Sequence, residues 1–236
     1  MLGPEGFYEG RRGEQYFSRF GDPGADILGR CFWAKTRLWL KPDDRVFEYG
    51  VGSGRNLMQL SVAERAGYDI SEHARTMAAR AGVSVYNSTG SIPRRRWTVV
   101  ICHHVLEHVS APLATLSLLR ELLVPGGRLI LTVPLEGHQR TLIDKSRDPD
   151  HHLYCWNPTT LRNLMECADF AVHSITRRTA AREDLFAPLA SSSALFQLAV
   201  WFAGTVLRRA ELTCLAIAPM LHSGESTYLP THIPKS

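Results

Sequence analysis

The residues that most clearly point to chemistry follow an apolar run. The segment Arg45 to Tyr49 (RVFEY) leads into GVGSG, which places Gly50, Gly52 and Gly54 at alternate positions and Glu48 two residues before the first of them. Glycines spaced this way after a strand let the backbone turn sharply and approach a ligand with no side chain between. Asp69 stands nineteen positions after Gly50, close to the ~20 expected for a carboxylate that grips ribose hydroxyls. Two ligands compete for such a loop. The dinucleotide fingerprint G-x-G-x-x-G aims a helix N-terminus at a pyrophosphate. Here the pattern is G-x-G-x-G, with Arg55 where the third dinucleotide glycine would stand. Glu48 would sit badly beside a pyrophosphate and suits a ligand with a cationic amino group, as methionine has. A tight turn with no ligand is the plain alternative, and the strand-then-helix context argues against it.

Two histidine groups could do acid–base work. His103 and His104 follow another apolar run, WTVVIC, and Glu107 and His108 follow in VLEHV, where they read as capping and bracing the next helix. The second group is DPDHHLYCW, with Asp148, Asp150, His151, His152, Tyr154 and Trp156 inside a long polar stretch. That density points to function on a loop: His151 or His152 as base or acceptor-orienting residue, Tyr154 and Trp156 framing a pocket. The competing role is a histidine that ties the loop to the domain. His151, His152, Cys155 and two aspartates could hold zinc. Adjacent histidines point apart unless the backbone bends, however, and no second Cys/His cluster completes the set, so no metal is expected.

These residues must be positioned by alternating elements. Strands are expected at Arg45 to Tyr49, Ala63 to Ile70, Val83 to Tyr86, Trp97 to Cys102 and Arg128 to Val133. Helices are expected from Arg55 into Leu60, after an N-cap at Ser71 with a stop at Gly82, and over Leu113 to Leu123 before Pro125-Gly126-Gly127. Alternation at this pace implies an α/β fold, a parallel sheet covered on both faces. Ligands of such sheets bind outside the carboxyl ends of the strands. Further on come a helix over Thr159 to Cys167, a strand over Phe170 to Thr176 and a final strand over Glu211 to Ala218. The stretch 135–158 is too long for a simple connection and reads as a substrate loop.

Bulk properties narrow the class. The apolar fraction of 44% and charged fraction of 21% are ordinary for a globular protein that needs no staples. A net charge of +4 spread in pairs and one triplet, Arg94 to Arg96, lacks the dense basic face of a nucleic-acid binder. Five scattered cysteines without a C-x-x-C pair argue for a reducing compartment. With no secretory pattern at the N-terminus, a cytoplasmic location is expected. The apolar stretch Ser193 to Leu207 is short of the ~20 residues that span a bilayer. It reads as a buried helix or a homodimer contact, with an interfacial membrane helix as its second reading.

The pattern E-x-G-x-G-x-G at Glu48 to Gly54 resembles motif I of class I S-adenosylmethionine-dependent methyltransferases. YDIS around Asp69, WTVVICHHVLEHV and LLRELLVPGGRLILTVP are similar to the motifs that follow in that family, and WNPTTLRNLMECADF is similar more loosely. The resemblance runs from about Arg45 to Pro134. It implies a doubly wound, seven-stranded, mostly parallel sheet (the Rossmann-like methyltransferase fold) with ELTCLAIA as an antiparallel last strand. It also implies that Gly50, Gly52 and Gly54 wrap the methionine and ribose of S-adenosylmethionine, with Glu48 at their base. Asp69 would hold the ribose hydroxyls and Ile70 would lie against adenine. The family often has an acidic residue after the third strand, where this chain offers Asn87-Ser88-Thr89, so Ser88 or a backbone carbonyl would serve adenine instead. His103 and His104 would line the cofactor's reactive end. Residues 1–44 would form a helical cap with Tyr16 and Phe17 as walls, 45–218 the cofactor-binding domain, and 219–236 a tail. The function expected is methyl transfer to a small-molecule hydroxyl. Transfer to nitrogen or carbon, and a cofactor-binding partner subunit without catalysis, are the alternatives.

Overall fold

The computed structural model describes residues 4–18, 27–135, 151–179, 195, 198–199, 201–202 and 210–220. Its centre is a seven-stranded sheet in the order β3-β2-β1-β4-β5-β7-β6. The strands are β1 (Arg45–Tyr49), β2 (Glu64–Tyr68), β3 (Ser84–Tyr86), β4 (Trp97–His103), β5 (Leu123–Leu135), β6 (Ala171–Thr179) and β7 (Ala210–Ile217). The first five run parallel, and β7 is antiparallel to both β5 and β6. The helices are α1 (Gly10–Phe17), α2 (Ile27–Thr36), α3 (Arg55–Met58), α4 (Glu72–Arg80), α5 (Pro112–Leu122) and α6 (Pro158–Cys167).

Alternation along the central strands divides the core in two. Val99 and Ile101 of β4 and Ile130 of β5 join Val46, Leu57 and Phe32 on one face. Val100, Cys102, Leu129 and Leu131 join Leu116, Leu119, Leu122, Leu161 and Met165 of α5 and α6 on the other. Successive side chains of a strand point to opposite faces, so near-continuous apolar runs such as WTVVIC fit a strand buried on both sides. The helices are delimited locally. Ser71 Oγ accepts the Ala74 amide at 3.3 Å to start α4, and Gly82 ends it with φ +81°. Asn157 and Thr160 form a reciprocal capping box at the start of α6.

Several boundaries differ from expectation. β2 stops at Tyr68, so Asp69 lies in the turn just beyond the strand. α3 is a single turn, not a helix reaching Leu60. The Pro125-Gly126-Gly127 turn is absorbed into β5 as an irregularity: pairing with β4 passes from Trp97↔Leu123 to Val99↔Arg128. The long pairing of β5 with β7 accounts for this, since Gly126 N–H also donates to the Ala218 carbonyl at 3.2 Å. Most of 135–158, most of Ser193 to Leu207 and the tail beyond Met220 lie outside the described residues, and with them Asp148 and Asp150. Among the described residues, no helix is long and apolar enough to cross a membrane.

Candidate active site

A cavity of about 750 Å³ opens at the carboxyl ends of the parallel strands, within the size range of small-molecule sites. The sheet order ranks its wall. Asp69 follows β2, Gly50 and Gly52 follow β1, His103 ends β4 with His104 just beyond it, and Glu211 is the second residue of β7. Strands lie about 4.8 Å apart, so this polar edge extends roughly 19 Å from β2 to β7. It crosses the point between β1 and β4 where the strand order reverses.

At the β1 end, Gly50 N–H and Val51 N–H both donate to the Tyr68 carbonyl, at 2.7 and 2.9 Å. This hairpin-tight approach needs Gly50 at φ +80°, and a Cβ there would stand 2.1 Å from Val105 Cγ2. Gly52 N–H donates to Asp69 Oδ2 at 2.9 Å and Ser71 N–H to Oδ1 at 2.9 Å. Arg75 Nη1 donates to the carbonyls of Asp69 and Ile70 at 2.6 and 3.0 Å, so the turn is held from both sides. Burial lifts the Asp69 pKa to about 6, against the pull of those backbone donors. Each carboxylate oxygen keeps a lone pair beyond its backbone bond, and Asp69 lines the cavity. That arrangement, with no Cβ over Gly50 or Gly52, fits a ligand bearing adjacent hydroxyls.

Ile70 and Tyr16 also line the cavity, and so does Phe17, whose ring edge lies 3.6 Å from where a Gly52 Cβ would be. Three expected contacts do not. Gly54 is turned under the loop, where a Cβ would meet Val83 and Ala78, so its task is packing. Glu48 is fully buried beneath the glycines, accepting from Asn56 Nδ2 at 2.6 Å, and Oε2 has no partner. Burial raises its pKa to about 8. The wall after β3 is Thr89, not Ser88.

The β4 end is built by a kink. His104 has φ +53°, unusual for a residue other than glycine, and it brings the His103 and His104 rings to 4.6 Å between centroids. His104 Nδ1 donates to Glu107 Oε1 at 3.2 Å and Nε2 to Glu211 Oε2 at 3.3 Å. Burial alone would discharge His104. The hydrogen bonds and charges of the two carboxylates outweigh it and lift its pKa to about 10. Protonated, His104 would donate to both carboxylates at once, an arrangement that suits a positioning role better than that of a base. Glu211 is also held by Lys35 Nζ at 2.8 Å. Burial opposes its charge, but His104 and Lys35 keep it well below the usual carboxylate range. His103, against the Phe32 ring at 5.1 Å, has its pKa driven well down by burial and is neutral.

The loop residues are placed differently from the sequence reading. His151, His152, Tyr154 and Trp156 do not line the cavity. His151 stacks on Phe7 at 4.7 Å and His152 packs on His108 at 5.0 Å. Tyr154 donates to the Ser110 carbonyl at 3.0 Å, and Trp156 is buried against the core. Leu153 N–H and Tyr154 N–H donate to the Glu107 carbonyl at 2.8 and 3.3 Å. Glu107 and His108 thus brace this loop and His104, while α5 starts without a side-chain cap. Sequence reasoning missed Lys35 and Glu211. The one available signal was Glu211 itself, a lone acid opening the apolar run LTCLAIA.

The chain matches the model of the methyltransferase domain family over residues 25–175. No curated protein matches it in sequence. Solved structures share its fold. A methyltransferase candidate of Bacillus halodurans has TM-score 0.60 at 17% identity over 79% of this chain and 98% of that one. Haemonchus contortus phosphoethanolamine N-methyltransferase 2, in complex with S-adenosyl-L-methionine, gives 0.62 at 14% over 93% and 61%. Geranyl diphosphate C-methyltransferase of Streptomyces coelicolor gives 0.55 at 15% over 75% and 73%. The chain belongs to the methyltransferase domain family, within the class I S-adenosylmethionine-dependent superfamily.

Proposed function

We propose that the cavity binds S-adenosylmethionine along Gly50, Gly52 and Asp69 and directs its methyl group to the hydroxyl of a small organic acceptor. The observation that carries this reading is Asp69, a carboxylate only 6% exposed, fixed by the Gly52 and Ser71 amides and facing the cavity. When bound, the cofactor supplies a methyl group already activated by the sulfonium charge. Alignment is then the chain's main task. Asp69 and the glycine edge would fix the ribose and methionine portions, and Ile70 and Thr89 the adenine side. Tyr8, Tyr16, Phe17 and Phe32 would shield the cavity from water and pack an apolar acceptor body. The polar cluster His103, His104 and Glu211 favours an acceptor bearing an oxygen, because such groups hydrogen-bond an O–H where an apolar wall would not.

Calorimetric titration with S-adenosylmethionine and S-adenosylhomocysteine tests this. Both should bind, and Asp69→Ala should weaken them roughly ten- to hundredfold, since hydrogen bonds to a charged group contribute ~1.5–3 kcal/mol. Unchanged affinity in the variant would remove Asp69 from the site. No binding to folded wild-type protein would remove the cofactor.

A further inference from the structure

We propose that His103, His104 and Glu211 form a binding site for a first-row divalent cation, with an open coordination position facing the acceptor end of the cavity. Adjacent histidines on a strand point to opposite faces. Here the left-handed backbone at His104 breaks that alternation at the end of β4 and turns both imidazoles toward β7. β7 meets them with Glu211, at the register position opposite Pro134. The ligand atoms of the three residues all lie within 4.8 Å of one another, so small side-chain shifts would close them around an ion. A non-glycine residue held at positive φ is a mark of functional sites.

The surroundings fit a metal ligand set. Glu107, fully buried, takes the Nδ1 hydrogen of His104 and leaves Nε2 directed at Glu211. A carboxylate behind a histidine is the usual support of a metal-binding imidazole. Lys35 bonds Glu211 through Oε1, while Oε2 faces His104, so a cation would replace the hydrogen now between His104 and Oε2 without displacing Lys35. Two imidazoles and one carboxylate favour zinc, cobalt, nickel or iron over magnesium or calcium. All three residues line the cavity, which leaves room for an acceptor oxygen as a further ligand. A cation so placed lowers the pKa of a bound hydroxyl; that role, unlike the binding itself, rests on the methyl-transfer reading above. Glu107, His108 and His152 form a second group of the same kind. There, however, neither Glu107 nor His152 lines the cavity, so an ion held there would not face the acceptor.

The test is titration of the full chain with Co²⁺ alone, followed by its visible absorption, with Zn²⁺ as competitor. One equivalent should produce a saturable band distinct from aqueous Co²⁺, and Zn²⁺ should abolish it. His103→Ala and Glu211→Gln should each abolish the band while His152→Ala retains it, with circular dichroism verifying that each variant is folded. Glu107→Gln should weaken binding about 10–100-fold with the band shape preserved, as for a positioning residue behind a ligand. Absence of a saturable band, or a band that survives His103→Ala and disappears in His152→Ala, overturns the proposal. Because no S-adenosylmethionine is present, failure here leaves the cofactor reading standing, and failure of cofactor binding leaves this one standing.

Discussion

At the residue scale, two carboxylates under one glycine loop have different surroundings and different consequences. Asp69 has backbone donors on both oxygens, whereas Glu48 has Asn56 on one oxygen and nothing on the other. A charge buried without full compensation is costly and is relieved by taking up a proton. Glu48 accordingly has a pKa of about 8 in the folded chain against 4.5 as an ordinary glutamate. Between these values the folded state binds a proton that the unfolded chain does not, so stability falls as pH rises through the window and levels off above it. The slope attributable to Glu48 is at most about 1.4 kcal/mol per pH unit. Glu48→Gln removes the titrating group and can still accept from Asn56. Chemical denaturation from pH 5 to 8.5, roughly the span of that shift, should therefore show a shallower decline in the variant than in the wild type. Identical slopes would mean that Glu48 is ionised in the folded chain.

At the element scale, the segment 151–156 shows why local sequence was a poor guide to the residues that line the cavity. Its histidines and aromatics looked like a substrate loop because titratable density is visible in sequence. Their destination is not, since it depends on which distant groups receive them. The Glu107 carbonyl takes two of the loop's amides, Ser110 takes the Tyr154 hydroxyl, and Phe7 takes the His151 ring. The same limit hid Glu211, which reaches His104 only because β7 inserts between β5 and β6, 107 positions along the chain. By contrast β1 and α4 were readable to within a residue or two, as each is bounded by its own signals: the glycine loop, and the Ser71 cap with Gly82. The kinetic consequence is specific. His151→Ala, His152→Ala and their double variant should keep kcat within about threefold, since neither ring faces the cavity and positioned acid–base groups contribute 10²–10⁴-fold. Loss of two orders of magnitude in the double variant, with cofactor affinity intact, would return the loop to the catalytic machinery.

At the scale of the whole molecule, the cavity is a junction between segments far apart in sequence. Its wall takes Tyr8, Tyr16 and Phe17 from the N-terminal segment, Phe32 and Lys35 from α2, the ends of β1, β2 and β4, Leu118 from α5 and Glu211 from β7. The N-terminal segment meets the rest of the fold through the Tyr8 hydroxyl on His108 Nδ1 at 3.0 Å, Phe7 on His151, Phe17 over Gly52, and α1 against α4. A ligand that touches both sides of such a junction favours the closed form by its differential affinity. S-adenosylhomocysteine at a hundredfold excess over its Kd should stabilise the fold by about 2.7 kcal/mol, which for a chain of this size raises Tm by roughly 5–10 °C. Hydrogen exchange separates the two sides of the junction. If the ligand lies beneath the N-terminal segment, amides of α1 should slow along with those of Gly50 to Gly52. Slowing confined to the glycine loop, with the same rise in Tm, would place the ligand against the sheet edge alone and leave Tyr16 and Phe17 without a part in its binding.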